Sequence, residues 1–354
     1  MKIGILTVHR AINVGAVLQC YALQEVLKSL GHDVWVINYV QEKVERVDRK
    51  VYDWKERIKM LTHGHLRGFF FYRLVQNSAA RSYKRYDDFL SQYLRLTPPC
   101  DKNHIPTNFD RYIIGSDQLW NSNIFGYHDN VFWGNFTRSK QSKVMAYAPS
   151  SSKRNLSESN QEFIRKSLNN FDYLSSREKE VTDYLNTHFG VSAQTVLDPT
   201  LLAERSIWEK MRTDGYVSEK YVLVYGARPY ANNPKILNEM AGRLAQQMNC
   251  KVRNLEYETI PGYVDLVANA SAVVTSSFHG VAFSLIFNRP LYAVQYSDEQ
   301  DARYVNLLNG LGASDMLVDV NDEMKTRDFD FSVIEANLCK MRQESISFIK
   351  QIGL

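Results

Sequence analysis

Cysteine is scarce and scattered: Cys20, Cys100, Cys250 and Cys339 are the only four in 354 residues, and no two of them form a Cys-x-x-Cys pair. That spacing excludes a disulfide-stapled scaffold and a zinc ribbon. No His, Asp or Glu cluster supplies a metal pattern instead, so no metal is expected. Long apolar runs are missing as well. Nothing approaches the about 18 apolar residues that a spanning helix needs. The opening run Lys2–Val8 is too short for a secretory leader and reads as a buried strand. The Gly-x-Gly-x-x-Gly turn is absent, which argues against a dinucleotide redox cofactor, and so is the Gly-x-Ser-x-Gly nucleophile elbow. Neither charge dominates: 43 basic against 39 acidic residues leave a net +4. That balance gives little support to nucleic acid. It suits a phosphate-bearing substrate or an anionic membrane face equally well. A cytoplasmic protein is expected.

What is present is an alternation of short apolar runs and helical stripes. With 44% hydrophobic and 23% charged residues the composition is globular, and the length exceeds one ordinary core. Strands are expected at Ile3–Val8, Val34–Ile37, Arg111–Ile114, Val144–Ala148 and Tyr173–Ser175, then at Tyr221–Tyr225, Lys251–Leu255, Ala272–Thr275 and Leu291–Val294. Leu18, Ala22, Val26, Leu27 and Leu30 mark a helix closed by Gly31. The expected organisation is an α/β first domain over residues 1–200, a second over 201–325, and a helix over 326–354 packing back on the first. There is no internal repeat and no low-complexity linker. The oligomeric state is not legible.

Residues 43–95 interrupt this rhythm with a basic helical insertion in which aromatics are interleaved. Its solvated reading is a helix with a charged outer face. Its sharper reading is peripheral contact with an anionic membrane, centred on Leu66–Arg73.

Polar clusters follow three of the apolar runs, where α/β proteins place reactive groups. Val273–Thr275 delivers Ser276, Ser277, Phe278, His279 and Gly280 into a helix start. The backbone amides there suit phosphate or carboxylate, and a histidine there can transfer a proton near neutral pH. Gly115-Ser116-Asp117-Gln118-Leu119-Trp120 follows a second strand. Asp117 reads either as a base or sugar-hydroxyl acceptor, or as a helix cap. Trp120 reads as a sugar platform or a core plug, and Gln118 as an acceptor-sugar contact. The first β-α junction offers His9, Asn13 and Gly15, with Asn13 also a natural cap. Arg228 and Arg303 are candidates to hold an anion through guanidinium forks, whereas Arg177 reads as a brace between domains.

Taken together, Asn13–Gln24, Ile114–Trp120, Val196–Leu202 and Thr275–Ser284 resemble the polysaccharide pyruvyl transferase family. The resemblance implies two Rossmann-like domains with a cleft between them, similar to the GT-B glycosyltransferase fold. It implies phosphoenolpyruvate as donor substrate, no cofactor, and a pyruvate ketal on a sugar of a surface polysaccharide or its lipid-linked precursor. It places the catalytic histidine at His279. Where many members have Arg-Leu-His, this chain has Ser277-Phe278-His279, so Arg228 or Arg303 is expected to supply the missing charge. In the implied mechanism His279, as imidazolium or through an ordered group, protonates the donor and Asp117 assists the attacking hydroxyl. Ser276, Ser277, Gly280, Asn13 and Gly15 line the donor, while Gln118, Trp120 and His9 face the acceptor. A nucleotide-sugar-dependent glycosyltransferase and a non-catalytic carbohydrate-binding protein are the alternative readings.

Overall fold

The computed structural model describes residues 1–41, 83–125, 128–213, 219–226, 233–257, 259–296 and 301–353. Arg228 and residues 43–82 of the basic insertion, Leu66–Arg73 among them, lie outside the described residues.

Two parallel sheets organise the chain. The first has strands β1 (Lys2–Leu6), β2 (Asp33–Val36), β3 (Arg111–Ile114), β4 (Lys143–Ala146), β5 (Tyr173–Ser176) and β6 (Ala193–Thr195), in the order β2-β1-β3-β4-β5-β6. The second has β7 (Tyr221–Tyr225), β8 (Lys251–Asn254), β9 (Ala272–Thr275), β10 (Leu291–Gln295) and β11 (Leu317–Asp319), in the order β11-β10-β9-β7-β8. Registers such as Ile5 beside Ile113 and Val224 beside Val274 put apolar side chains on neighbouring strands. Parallel strands are covered on both faces by crossover helices, which is why these segments read as unbroken apolar runs.

The helices used below are α1 (Val14–Ser29), α2 (Gln161–Leu168), α3 (Lys179–Phe189), α4 (Pro199–Leu202), α5 (Asn233–Gln247), α6 (Ile260–Ala268), α7 (Phe278–Ile286), α8 (Ala302–Leu311) and α9 (Phe331–Lys350). Asn13 caps α1 by accepting the amides of Gly15 and Ala16. At its other end His32 donates to Leu27 and Gly31 to Lys28, with Gly31 at φ 84°. This is the Schellman closure for which a glycine is the favoured residue. The sequence pattern misses α6 and β11. All residues of α6 except Gly262 are buried, so the helix has no polar face to give a period, and Pro261 and Gly262 in its first turn read as a loop.

Helix α9 returns to the first sheet. Its Arg342 Nε donates to the Leu201 carbonyl at 2.7 Å, and its Ser345 Oγ accepts the Leu197 amide at 2.9 Å. Just beyond it, the Ile352 carbonyl takes a bond of 2.6 Å from Arg111 Nε. Residues 83–93 are helical. Their Tyr86 and Phe89 are buried in the core, and Phe89 meets Tyr21 of α1 edge-on. Among the described residues no helix is long and apolar enough to cross a membrane.

Candidate functional site

Each sheet reverses its strand order once, between β1 and β3 in the first and between β7 and β9 in the second. Loops leaving the carboxyl ends of such strand pairs diverge and leave a crevice, which is where open α/β sheets bind ligands. At the first crevice lie the turn before α1 and the segment Gly115–Trp120. At the second lie Tyr225 and the turn Ser276–Gly280 before α7.

The two crevices meet at His279. A side-chain carbon at Gly15 would fall 2.0 Å from His279 Nδ1, so the imidazole rests directly on the backbone at the start of α1. His279 is 9% exposed, and among the described residues its buried Nε2 has no hydrogen-bond partner. An orphaned buried nitrogen is costly, and a site for a ligand is one reason that a fold retains it. Burial lowers the pKa of this histidine from 6.5; Asp198 and Asp117 pull it upward, whereas Arg177 and Arg303 push it down. Burial thus favours the neutral imidazole over the imidazolium.

Around it the second domain is built on small and hydroxyl-bearing residues. Ser277 caps α7, its Oγ accepting the Gly280 amide at 3.4 Å, and its own amide donates to Thr275 Oγ1 at 3.0 Å. Gly280 is required there: a side-chain carbon would stand 2.3 Å from Thr275 Oγ1 and 2.9 Å from the Tyr225 ring. Tyr225 engages Ser277 through its hydroxyl, and burial pushes that phenol up to about 12. Ser276 is buried beside it. Tyr263 of α6 donates to the His279 carbonyl at 3.2 Å.

The first domain contributes a charged cluster that composition alone does not reveal. Arg177, at the end of β5, has a side chain only 3% exposed. Its Nη1 meets Asp198 Oδ2 at 2.6 Å, its Nε meets Glu178 Oε1 at 3.1 Å, and its Nη2 stands 3.9 Å from Asp117 Oδ1. The guanidinium carbon sits 4.8 Å above the Phe278 ring, on the residue before His279. Burial opposes the charge on Arg177, and Glu178, Asp198 and Asp117 more than restore it. Asp198 caps α4, taking the Thr200 amide and hydroxyl, and also accepts Ser116 Oγ at 3.1 Å. Burial alone would raise its pKa, but Arg177, His279 and Thr200 hold it below the carboxylate range. Arg177 and Asp198 were not among the expected site residues. The signal available was Asp198-Pro199-Thr200, an aspartate cap followed by proline at a strand end.

The loop after β3 is held from two sides. Gln19 of α1 accepts the Ser116 amide at 3.1 Å and donates to Thr7 Oγ1 at 2.9 Å. Asp117 adopts φ 77°, in the left-handed region, with its carboxylate accepting the Gln118 amide at 2.8 Å. Its side chain remains 17% exposed. Gln118 is partly exposed and is bonded by Asn121 at 2.8 Å.

Two expected acceptor contacts are corrected here. Trp120 is fully buried, stacks on Trp133 at 4.8 Å and donates to the Phe132 carbonyl. It is a core plug, packed among the buried aromatics Phe132 and Trp133. His9 is 1% exposed, with Nδ1 3.0 Å from the Thr7 carbonyl and Nε2 3.3 Å from Asn38 Oδ1. Both of its nitrogens are occupied, one within its own loop by Thr7 and one by Asn38 after β2. Of the donor candidates, Asn13 spends its side-chain oxygen on capping α1, and Gly15 carries the His279 ring. Arg303, in the first turn of α8, lies within electrostatic reach of His279.

Solved structures similar to this chain run its whole length. One assigned as a UDP-N-acetylglucosamine 2-epimerase from Listeria monocytogenes has a TM-score of 0.51 and 9% identity, covering 99% of this chain and 90% of that one. The UDP-GlcNAc 2-epimerase from Neisseria meningitidis, bound to UDP-GlcNAc, has a TM-score of 0.46 and 10% identity, covering 100% and 94%. The spinosyn forosaminyltransferase SpnP has a TM-score of 0.39 and 10% identity, covering 100% and 95%. No curated protein matches the sequence. The fold is α/β with two Rossmann-like domains, of the GT-B type. The expected pyruvyl transfer from phosphoenolpyruvate, with its ketal product, has no counterpart in the names of these structures, which are for nucleotide-sugar epimerisation and sugar transfer; at 9–10% identity they show the fold alone. Ancestry is a separate matter from donor chemistry. A model for the family described as Polysaccharide pyruvyl transferase matches residues 13–298, and the chain belongs to that family.

Proposed function

We propose that this protein is a nucleotide-sugar-dependent glycosyltransferase acting on a hydroxyl of a surface polysaccharide or its lipid-linked precursor. The observation that carries the proposal is His279. Its imidazole is buried, which favours the neutral form, its Nε2 has no hydrogen-bond partner among the described residues, and it is set at a helix start where the crevices of two sheets meet. A neutral histidine takes the proton of an attacking hydroxyl, which is the demand of glycosyl transfer.

The donor diphosphate would lie at the amino-terminal turn of α7, over Ser276, Ser277 and Gly280, where the helix dipole favours anions. Arg303 adds positive charge on the same side, and the start of α1 at Asn13 and Gly15 closes the opposite wall. Asp117 and Gln118 reach the cleft from the first domain and would orient the acceptor. The acceptor oxygen attacks the anomeric carbon while His279 takes its proton. The bond from that carbon to the diphosphate breaks, its electron pair leaving with the nucleotide. A cytoplasmic setting is part of the proposal, supported by Cys20, Cys100, Cys250 and Cys339, all free thiols.

The test is release of nucleoside diphosphate from a panel of uridine-, guanosine- and thymidine-diphosphate sugars, with simple and lipid-linked acceptors. Saturable, acceptor-dependent release that His279→Ala abolishes is the expected result. Phosphate release from phosphoenolpyruvate without use of any nucleotide sugar would overturn the proposal.

A further inference from the structure

Among the described residues three carboxylates, Asp117, Glu178 and Asp198, converge on the guanidinium of Arg177 and outnumber it, with Arg303 a second cation in electrostatic reach of His279. Arg177 and Asp198 are almost completely buried, so solvent does little to screen the excess. Nor is the arrangement loose: Asp198 receives Arg177 Nη1, Ser116 Oγ, and both the amide and hydroxyl of Thr200. The cluster touches the histidine's own turn through Arg177, whose guanidinium stacks on Phe278. It also joins the loops after β3, β5 and β6 to Phe278 at the start of α7 in the second domain.

We propose that Arg177 and Asp198 are positioning residues for His279. Arg177 gathers the first-domain carboxylates against the Phe278–His279 turn, and their negative charge stabilises the imidazolium formed when His279 accepts a proton. This rests on the glycosyl-transfer reading for the source of that proton, the acceptor hydroxyl. When the acceptor oxygen bonds to the anomeric carbon, its proton moves to the imidazole and the diphosphate carries away the electron pair of the broken bond. The imidazolium then returns its proton to the departing diphosphate or to water. Without a counter-charge, forming a cation at this buried ring would be strongly disfavoured.

The groups facing the ring set the direction of each effect. Asp198 before α4 and Asp117 after β3 favour the imidazolium. Arg177 after β5 and Arg303 on α8 oppose it. Tyr263 on α6 bonds the His279 carbonyl, and Tyr225 on β7 engages Ser277; neither phenol is ionised at neutral pH. The start of α1, through Gly15, adds no charged side chain to the contact.

The experiment is an NMR titration of the His279 imidazole Cε1–H in the full chain, assigned by its loss in His279→Gln. It is repeated in Asp198→Asn and Asp117→Asn, with folding checked by circular dichroism. Asp198→Asn is expected to move the midpoint to lower pH by about half a unit or more. It should also lower kcat on the order of tenfold, and move the acid limb of kcat/KM the same way. Asp117→Asn, which caps no helix, moves the midpoint in the same direction by less. An unchanged midpoint in folded Asp198→Asn would overturn the proposal. If that variant does not fold, an unchanged midpoint in Asp117→Asn would do so. The titration needs no donor, so it decides this inference even if no nucleotide sugar is turned over.

Discussion

The imidazole of His279 and the backbone of Gly15 are in direct contact, although they belong to helices that begin on different sheets. Glycine is needed at residue 15 for space, not for backbone conformation: its place on α1 is ordinary helix, but any side chain would occupy the ring's position. Gly15→Ala is therefore expected to push the two helix starts apart. Overpacking of this kind costs about 1–3 kcal/mol. Chemical denaturation should show that loss together with a fall in turnover. A variant of wild-type stability and activity would mean that the contact is not maintained in solution.

Trp120 separates core from site. Trp120→Ala should cost about 3–5 kcal/mol, the usual penalty for deleting a large buried aromatic. Trp120→Phe, which keeps most of the stacking on Trp133, should be far milder and leave the KM for acceptor unchanged. A selective rise in acceptor KM in Trp120→Phe, without loss of stability, would return this residue to the binding surface.

Asp117 carries both a carboxylate and an unusual backbone. Its φ of 77° is tolerated by asparagine and costly for a β-branched residue. Asp117→Asn should keep the thermal midpoint within a few degrees while reducing turnover. Asp117→Val should also destabilise the fold, by roughly 1–3 kcal/mol. Equal stability of the two variants would remove the backbone argument.

Stability should fall on mild acidification. His9 and His279 both have pKa values lowered by burial. The unfolded chain takes up protons from about pH 6.5 downward, where these folded histidines still resist them, so protonation favours unfolding. Each contributes a slope of at most about 1.4 kcal/mol per pH unit within that window. Asp198 acts in a separate window: its folded pKa is lowered, so its contribution is present at neutral pH and is lost only as the pH falls below about 4. Urea unfolding at pH 7.5 and pH 5.5 should show the first loss, and His9→Asn should reduce it. A flat profile between those values would contradict the neutral, buried state of both rings.

The strands and the three polar clusters were legible because each is local. Val273–Thr275 announces a strand, and the residues that follow must lie at its carboxyl end. Arg111–Ile114 and Tyr221–Tyr225 coincide with their strands for the same reason. Asp198 and Arg177 were not legible as partners. They are 21 positions apart, with α3 and β6 between them, and their pairing depends on β5 and β6 lying side by side. Trp120 misled because a polar loop adjoins it, and nothing local shows that the chain turns inward within two residues. His9 misled similarly: a histidine at a strand end reads as reactive until Asn38, on the neighbouring strand's exit, is seen to occupy it.

The return of α9 to the first sheet bears on how the chain is made. Arg111 finds its carbonyl partner 241 positions later, at Ile352, and Leu197 finds Ser345. A ribosome delivers the strands of the first sheet long before the segment that covers them. The first domain must wait, unfinished at that face, through synthesis of the entire second sheet. Its nascent form therefore exposes apolar surface that the mature protein hides, and a chaperone that holds early intermediates would meet this protein there.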